Sequence, residues 1–215
     1  MHPRIRGYRV RFAESVPAHH PLKAYPMKTR IYDLESTLGQ PKAGDITFEA
    51  QEELIETTKV WCSEDVKVIR VVLNTEGGDT DAGIKIFEHL RDLSQRGIEI
   101  ITHNKGTVAS VGNVVFAAGD VRLAKPNSKF LFHGVAKQYE FYGTDPSLPT
   151  KLRFGKEDLE EFLKEILENE KRLTDVYRSR YNFDSLDINT LFRKKARRFG
   201  LREAKDFDII TAVAG

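Results

Sequence analysis

Gly106-Thr107-Val108-Ala109-Ser110-Val111-Gly112-Asn113-Val114-Val115-Phe116-Ala117-Ala118-Gly119 is the stretch around which this chain is organised. Ile98 to His103, just before it, is rich in β-branched residues and reads as a strand. The quoted residues then read as a tight turn feeding an apolar helix, with Ser110 at the helix start. Backbone N–H groups lack intrahelical partners there, and the helix dipole favours negative charge. Two readings of Ser110 stand side by side on position alone: a serine N-cap, or an oxygen nucleophile placed beside an oxyanion-binding site.

The residues on either side supply the context. Val66 to Asn74 is nearly continuous β-branched sequence, the pattern of a strand buried on both faces. Asn74-Thr75-Glu76-Gly77-Gly78-Asp79-Thr80-Asp81-Ala82-Gly83 turns from that strand into a helix, whose apolar stripe is Ile86, Phe87, Leu90 and Leu93 and which Gly97 ends. After the Ser110 segment come two short strands, Val121 to Ala124 and Lys129 to Phe132, around Pro126-Asn127. This alternation predicts an α/β layered domain with a mainly parallel sheet. Paired glycines after a buried strand form a tight turn or let a backbone approach a ligand. In the second case the N–H groups of Gly77 and Val111 converge on one carbonyl oxygen. His133, at the end of the last short strand, is either a structural histidine or a base able to take the Ser110 proton. The chemistry needs all three features on one sheet edge, which is where α/β folds place their sites.

The remaining segments frame this centre. Residues 1 to 28 carry Pro3, Pro17, Pro21 and Pro26, too many for a long helix. Ile5, Tyr8, Val10 and Phe12 suggest a short strand or a docking arm, and His19-His20 reads as a solvated pair. Arg30 to Leu38 reads as a strand. Gly39, Pro41 and Gly44 mark a loop, and Asp45 or Thr47 caps a helix from about Phe48 to Trp61. Ala136 to Thr150 reads as an irregular or hairpin excursion. Lys156 to Tyr181 is a strong helix with Leu159, Phe162, Leu163, Ile166, Leu167, Leu173, Val176 and Tyr177 on a narrow stripe, a pattern suited to packing on another chain. Phe183 to Gly200 is read as a second helix. Its run Arg193, Lys194, Lys195, Arg197 and Arg198 is a solvated face or a patch for RNA or an acidic partner. Ile209 to Val213 is strand-like. The expected division is an N-terminal arm or extension over residues 1–28 and one domain over 29–215.

Composition narrows the classes. The chain has 215 residues, 40% hydrophobic and 31% charged, enough for one large domain with a sizeable core. A net charge of +2 imposes neither nucleic acid nor an anionic membrane as partner. The single cysteine, Cys62, excludes an internal disulfide and a multi-cysteine metal site, and beside Trp61 it reads as buried packing. No apolar run is long enough to span a bilayer, and the N-terminus lacks a signal-peptide core. Cytoplasmic location is the default expectation, with no cofactor or metal called for.

Three motifs, in order and at similar spacing, resemble the proteolytic subunit of the Clp protease and, more broadly, the Clp/crotonase superfamily. NTEGGDTDAG (Asn74 to Gly83) is similar to the family's N-S-P-G-G turn with its following A-G. GTVASVGNVVFAAG (Gly106 to Gly119) is similar to the nucleophile turn and its following A-A-G. PNSKFLFHG (Pro126 to Gly134) is similar to the strand that ends in the family's histidine. The resemblance covers about Arg30 to Ala214. It implies repeated β-β-α layers with a protruding handle helix within about residues 135–182. It also implies Ser110 as nucleophile, His133 as general base, and Gly77 and Val111 as oxyanion N–H donors. The implied activity is serine endopeptidase cleavage of unfolded polypeptides in a homo-oligomer of stacked rings, fed by an AAA+ unfoldase.

The chain departs from the family in three places. The triad aspartate usually precedes an A-x-E-A stretch; here Leu201-Arg202-Glu203-Ala204 is the comparable stretch, and an ungapped register puts Ala196 at the acid's position. Asp184, Asp187 and Asn189 are the candidates from a shifted register. Glu76 replaces the family's proline, and the segment after His133 is longer than usual. A Ser–His pair without its acid keeps part of its rate. Two alternatives follow: a ring-forming structural subunit with little activity, and a crotonase-like acyl-CoA enzyme that uses paired amides without Ser110 or His133.

Overall fold

The structure is a computed structural model and describes residues 11–12, 28–35, 45–135, 156–192 and 196–214. The expectations for His19-His20, for Ala136 to Thr150 and for Arg193 to Lys195 fall outside these residues.

A parallel sheet forms the centre, and its strands are the β-branched runs of the sequence. β2 (Thr29–Glu35), β3 (Val68–Thr75) and β4 (Glu99–Ala109) pair in parallel, and β5 (Val121–Ala124) extends the sheet beyond β4. The two-residue β1 (Arg11–Phe12) adds antiparallel to β2 at one edge, and β8 (Ala212–Val213) adds to β5 at the other. Tyr32, Leu34, Ile69, Val71, Leu73 and Ile100 point into a core completed by α1 (Phe48–Ser63) and α2 (Thr80–Gln95). Each helix begins at a side-chain cap: Thr47 Oγ1 accepts the Ala50 N–H and Asp79 Oδ1 accepts the Ala82 N–H. Trp61 is buried and Cys62 packs partly buried against the core, as expected.

β4 holds the main surprise. The sequence suggests a strand ending at His103 and a turn from Gly106; the strand instead continues to Ala109. Its register against β3 slips: Leu73 pairs with Asn104, but Thr75 pairs with Val108. Lys105 and Gly106 are accommodated as a bulge, which bends the strand. Before the bulge β4 pairs with β5; after it, Thr107–Ala109 pair with β6 (Lys129–Phe132). Two asparagines stabilise the bend. Asn74 Oδ1 accepts the Thr107 N–H, and the buried Asn104 accepts the Gly106 N–H while donating to the Lys129 carbonyl. The elbow at Ser110 and the six-residue α3 (Gly112–Ala117) follow.

The long helix is α4 (Lys156–Arg180), within one residue of the expected span. The stripe divides: Leu163 and Leu167 are each 55% exposed, whereas Leu173 and Tyr177 are buried in the core. At its base, Phe132 makes edge contacts with Tyr177 at 5.0 Å and with Phe199 at 5.3 Å between ring centroids. The second helix expected over Phe183 to Gly200 does not form. A short 3-10 turn (Ile188–Phe192) and β7 (Arg197–Phe199) occupy the described part of that segment, and β7 runs antiparallel to β6. Pairing of Phe199 with Phe130, both fully buried, sets a strand there instead. Of Ile209 to Val213, only Ala212–Val213 is strand, since Ile209 and Ile210 are buried in the core ahead of it. Among the described residues, no helix is long and apolar enough to cross a membrane.

Candidate active site

Ser110 stands at the elbow between β4 and α3 with φ +53°, in the left-handed region that non-glycine residues rarely occupy. Its side chain does not cap α3; Val111 is the N-cap and no side chain caps it, so the N-cap reading of Ser110 is set aside. Holding such a residue costs on the order of 1–3 kcal/mol, which the surroundings must supply. They do so by hydrogen bonds on both sides of the elbow. The Ser110 N–H donates to the Leu131 carbonyl at 2.9 Å. The Ser110 carbonyl accepts from the Asn113 N–H at 3.0 Å, from Asn113 Nδ2 at 3.1 Å and from the Tyr177 hydroxyl at 3.4 Å. Asn113 Nδ2 also donates to the Leu131 carbonyl at 2.7 Å, so one fully buried amide ties the elbow to β6.

The handle helix secures the other end of α3. Tyr181 donates its hydroxyl to the Asn113 carbonyl at 2.8 Å. Complete burial raises the pKa of both Tyr177 and Tyr181, so they remain neutral donors. Arg180 donates to the carbonyls of Ala117 and Gly119, and Arg91 to that of Ala118, satisfying the orphan carbonyls at the end of α3.

Gly77 packs directly on Ser110. It has φ +110°, and a Cβ there would lie 2.6 Å from Ser110 Cβ and 3.3 Å from Ser110 Oγ. No other residue type fits that contact or that backbone conformation. Gly83 lets α2 approach the elbow in the same way, since a Cβ there would meet Val111 Cγ2 at 2.3 Å. The two amides named from the sequence are in different states. The Val111 N–H lies at the start of α3, where no intrahelical carbonyl is available. The Gly77 N–H is buried and donates to the Thr75 hydroxyl at 3.0 Å. Glu76, between them in sequence, is exposed and directed away from the core.

His133 lies just past β6, one strand over from Ser110; Ala109 pairs with Leu131, so both residues emerge at the same end of neighbouring parallel strands. No hydrogen bond joins Ser110 Oγ to His133 among the described residues. His133 Nδ1 is 2.7 Å from the Gly134 carbonyl. A carbonyl only accepts, so Nδ1 carries the hydrogen and Nε2 of the neutral ring keeps its lone pair. This is the tautomer a general base needs, selected by a carbonyl rather than a carboxylate.

No carboxylate bonds His133 among the described residues. Continuing the antiparallel register of Phe132 with Arg197 by one residue sets Ala196 opposite His133. Asp187 is exposed and accepts from Asn189 N and Nδ2, and Asp184 is exposed with no bond to the histidine. A different acid approaches from α4: Glu170 Oε1 accepts the Val135 N–H at 3.3 Å, two residues beyond His133. Sequence reasoning missed Thr75, Asn113, Glu170 and Tyr177. Only Asn113 had a local signal, a polar residue inside an apolar helix.

The Clp protease family profile matches residues 44–215. The chain is 26% identical over 186 residues to the ATP-dependent Clp protease proteolytic subunit 1 of Chlamydia pneumoniae, covering 76% of this chain and 90% of that one. It is 29% identical over 113 residues to the ATP-dependent Clp protease proteolytic subunit 2 of Treponema denticola, covering 48% and 55% respectively. A ClpP1 mutant of Listeria monocytogenes superposes with a TM-score of 0.64 at 19% identity, over 79% of this chain and 86% of that one; at that identity the likeness speaks for the fold alone.

Proposed function

We propose that this chain, which belongs to the Clp protease family, is a serine endopeptidase that works through an acyl-enzyme on Ser110. In this reading Ser110 Oγ attacks the peptide carbonyl carbon while His133 Nε2 takes its proton. The oxyanion is met by the Val111 N–H and by the Gly77 N–H, which must exchange its Thr75 partner for the substrate oxygen. The protonated His133 then gives its proton to the leaving amine, and water, activated by the same imidazole, hydrolyses the ester and restores the Ser110 hydroxyl. The Nδ1–H bond to the Gly134 carbonyl orients the ring without adding the charge stabilisation of an acid.

The observation that carries this reading is the left-handed Ser110 held against Gly77, one strand over from His133. The test is a fluorophosphonate probe with intact-mass detection. Adduct at Ser110, lost in Ser110→Ala and much slowed in His133→Ala, supports the reading; absence of adduct in every assembly state overturns it.

A second reading is favoured by two observations, Ala196 opposite His133 and the Gly77 N–H held by Thr75: a ring-forming structural subunit with little turnover of its own. It predicts that Ser110→Ala changes neither turnover nor assembly. In both readings the chain assembles with copies of itself into stacked rings, supported by the exposed Leu163 and Leu167 on α4. Polypeptide substrate, an AAA+ unfoldase partner and a cytoplasmic setting are proposed from the relatives, which are named as proteolytic subunits of an ATP-dependent protease.

A further inference from the structure

We infer that the sheet face turned away from α1 and α2 carries a binding site for an oxyanion, built from Arg70, His103, Lys105 and Lys125. The register places these residues together. Arg70 is opposite Ile101, two residues before Val72, which is opposite His103; His103 is in turn opposite Leu123. Alternation along each strand then puts Arg70, Val72, His103 and Leu123 on one face. It is not the helix-covered face: Ile69, Val71, Leu73 and Ile100 belong to the central core, while Val72 and Ile101 do not.

A face of this kind is ordinarily apolar or solvated; here its centre holds His103 and Arg70, and both are at least partly buried. His103 is only 8% exposed, yet its Nε2 has no hydrogen-bond partner. Arg70 is half-buried, and its Nε likewise has none. Two buried polar groups left without partners cost on the order of 1–3 kcal/mol each. The charges of Arg70, Lys105 and Lys125 all act on His103 and, with burial, keep its ring neutral. Carboxylates share this face as well: by the same alternation Asp33 is opposite Val72 and Glu99 opposite Val68, and Asp33, 6% exposed, accepts from Lys105 Nζ at 3.4 Å.

An anion with two or more acceptor oxygens answers each of these features. One oxygen takes the Arg70 guanidinium, charge-assisted and suited to paired acceptors. Another takes His103 Nε2, which becomes a donor when the anion's charge favours the imidazolium. Lys125, which is exposed, closes the site from solvent. The ligand class is therefore a phosphate-type or carboxylate-type oxyanion. The site lies on the opposite face of the sheet from α1 and α2, and does not depend on the peptidase reading.

Isothermal titration of the full chain at pH 6 and constant ionic strength tests this. Sulfate, which does not titrate, probes the phosphate class; acetate probes the carboxylate class. Saturable binding of either probe at one site per chain is expected, and the probe that binds identifies the class. Binding should also take up a proton, seen as a dependence of the measured heat on the buffer's ionisation enthalpy. Arg70→Met should weaken binding about tenfold, Lys125→Gln about threefold, and His103→Gln should remove the proton uptake. Lys125→Gln changes an exposed side chain, so it keeps the test decisive should Arg70→Met not fold. No saturable binding of either probe, or binding unchanged by Lys125→Gln and by any folded Arg70 variant, overturns the inference.

Discussion

Phe132 and Arg197 form the last pair of the β6–β7 ladder, and the same register carried one residue further sets Ala196 opposite His133. A side chain at that position is directed by the backbone ladder toward the histidine's surroundings, and the chain has placed a methyl group there. Ala196→Asp should supply the missing counter-charge. Turnover of a peptide or ester substrate should rise by about tenfold or more, mainly in kcat, because the acid stabilises the imidazolium formed in the transition state. Steady-state kinetics on both proteins checks this; an unchanged kcat would mean the ladder does not continue in the working enzyme.

Thr75 is expected to restrain the site. Its hydroxyl accepts the Gly77 N–H at 3.0 Å, so a substrate oxygen must displace it. Thr75→Val keeps the shape and removes the acceptor. Global stability should fall by about 1 kcal/mol, since a buried N–H loses its partner, while kcat/KM should rise about fivefold as that competition disappears. Urea denaturation alongside kinetics separates the two effects.

The upper half of α4 offers a test of assembly. Leu163 and Leu167 lie four residues apart, one above the other on the helix, and each is 55% exposed. Replacing both with Glu should shift sedimentation velocity profiles to smaller species. The fold of each subunit should stay within about 0.5 kcal/mol, as for other exposed substitutions. Unchanged sedimentation would remove this face from the interface.

His103 predicts an acid-sensitive fold. Burial first, then the charges of Arg70, Lys105 and Lys125, bring its pKa down to about 4 from 6.5. Above pH 6.5 the ring is neutral in folded and unfolded chains alike, so it adds no pH dependence. Between 6.5 and 4 the unfolded chain binds a proton that the folded chain does not. Stability therefore falls as pH falls, by roughly 3 kcal/mol once below 4. Denaturation midpoints at pH 7 and pH 4.5 should differ more for the wild-type chain than for His103→Gln. Equal differences would assign the acid sensitivity elsewhere.

Much of this site was legible before any coordinates. Ser110, His133 and Gly77 come from three motifs at the ends of strongly patterned strands, and those strands form where the β-branched runs lie. The elements that went unread depend on distant partners. β4 continues through Gly106 because Asn74 and β6 supply its hydrogen bonds, and a bulge at Lys105–Gly106 is invisible to periodicity. β7 replaces an expected helix because Phe199 fills the core against Phe130.

The sequence by itself determined the order of most strands and helices, the choice of Ser110 and His133 as candidates for nucleophile and base, and the absence of an acid at the comparable position, because these follow from local patterning and residue type. Only the tertiary structure decided that Ser110 is held left-handed against Gly77, that a backbone carbonyl selects the His133 tautomer, and that Arg70, His103, Lys105 and Lys125 come together on the far face of the sheet. Those facts depend on which strands become neighbours and in what register, and register is a property of the whole packed sheet rather than of any one segment.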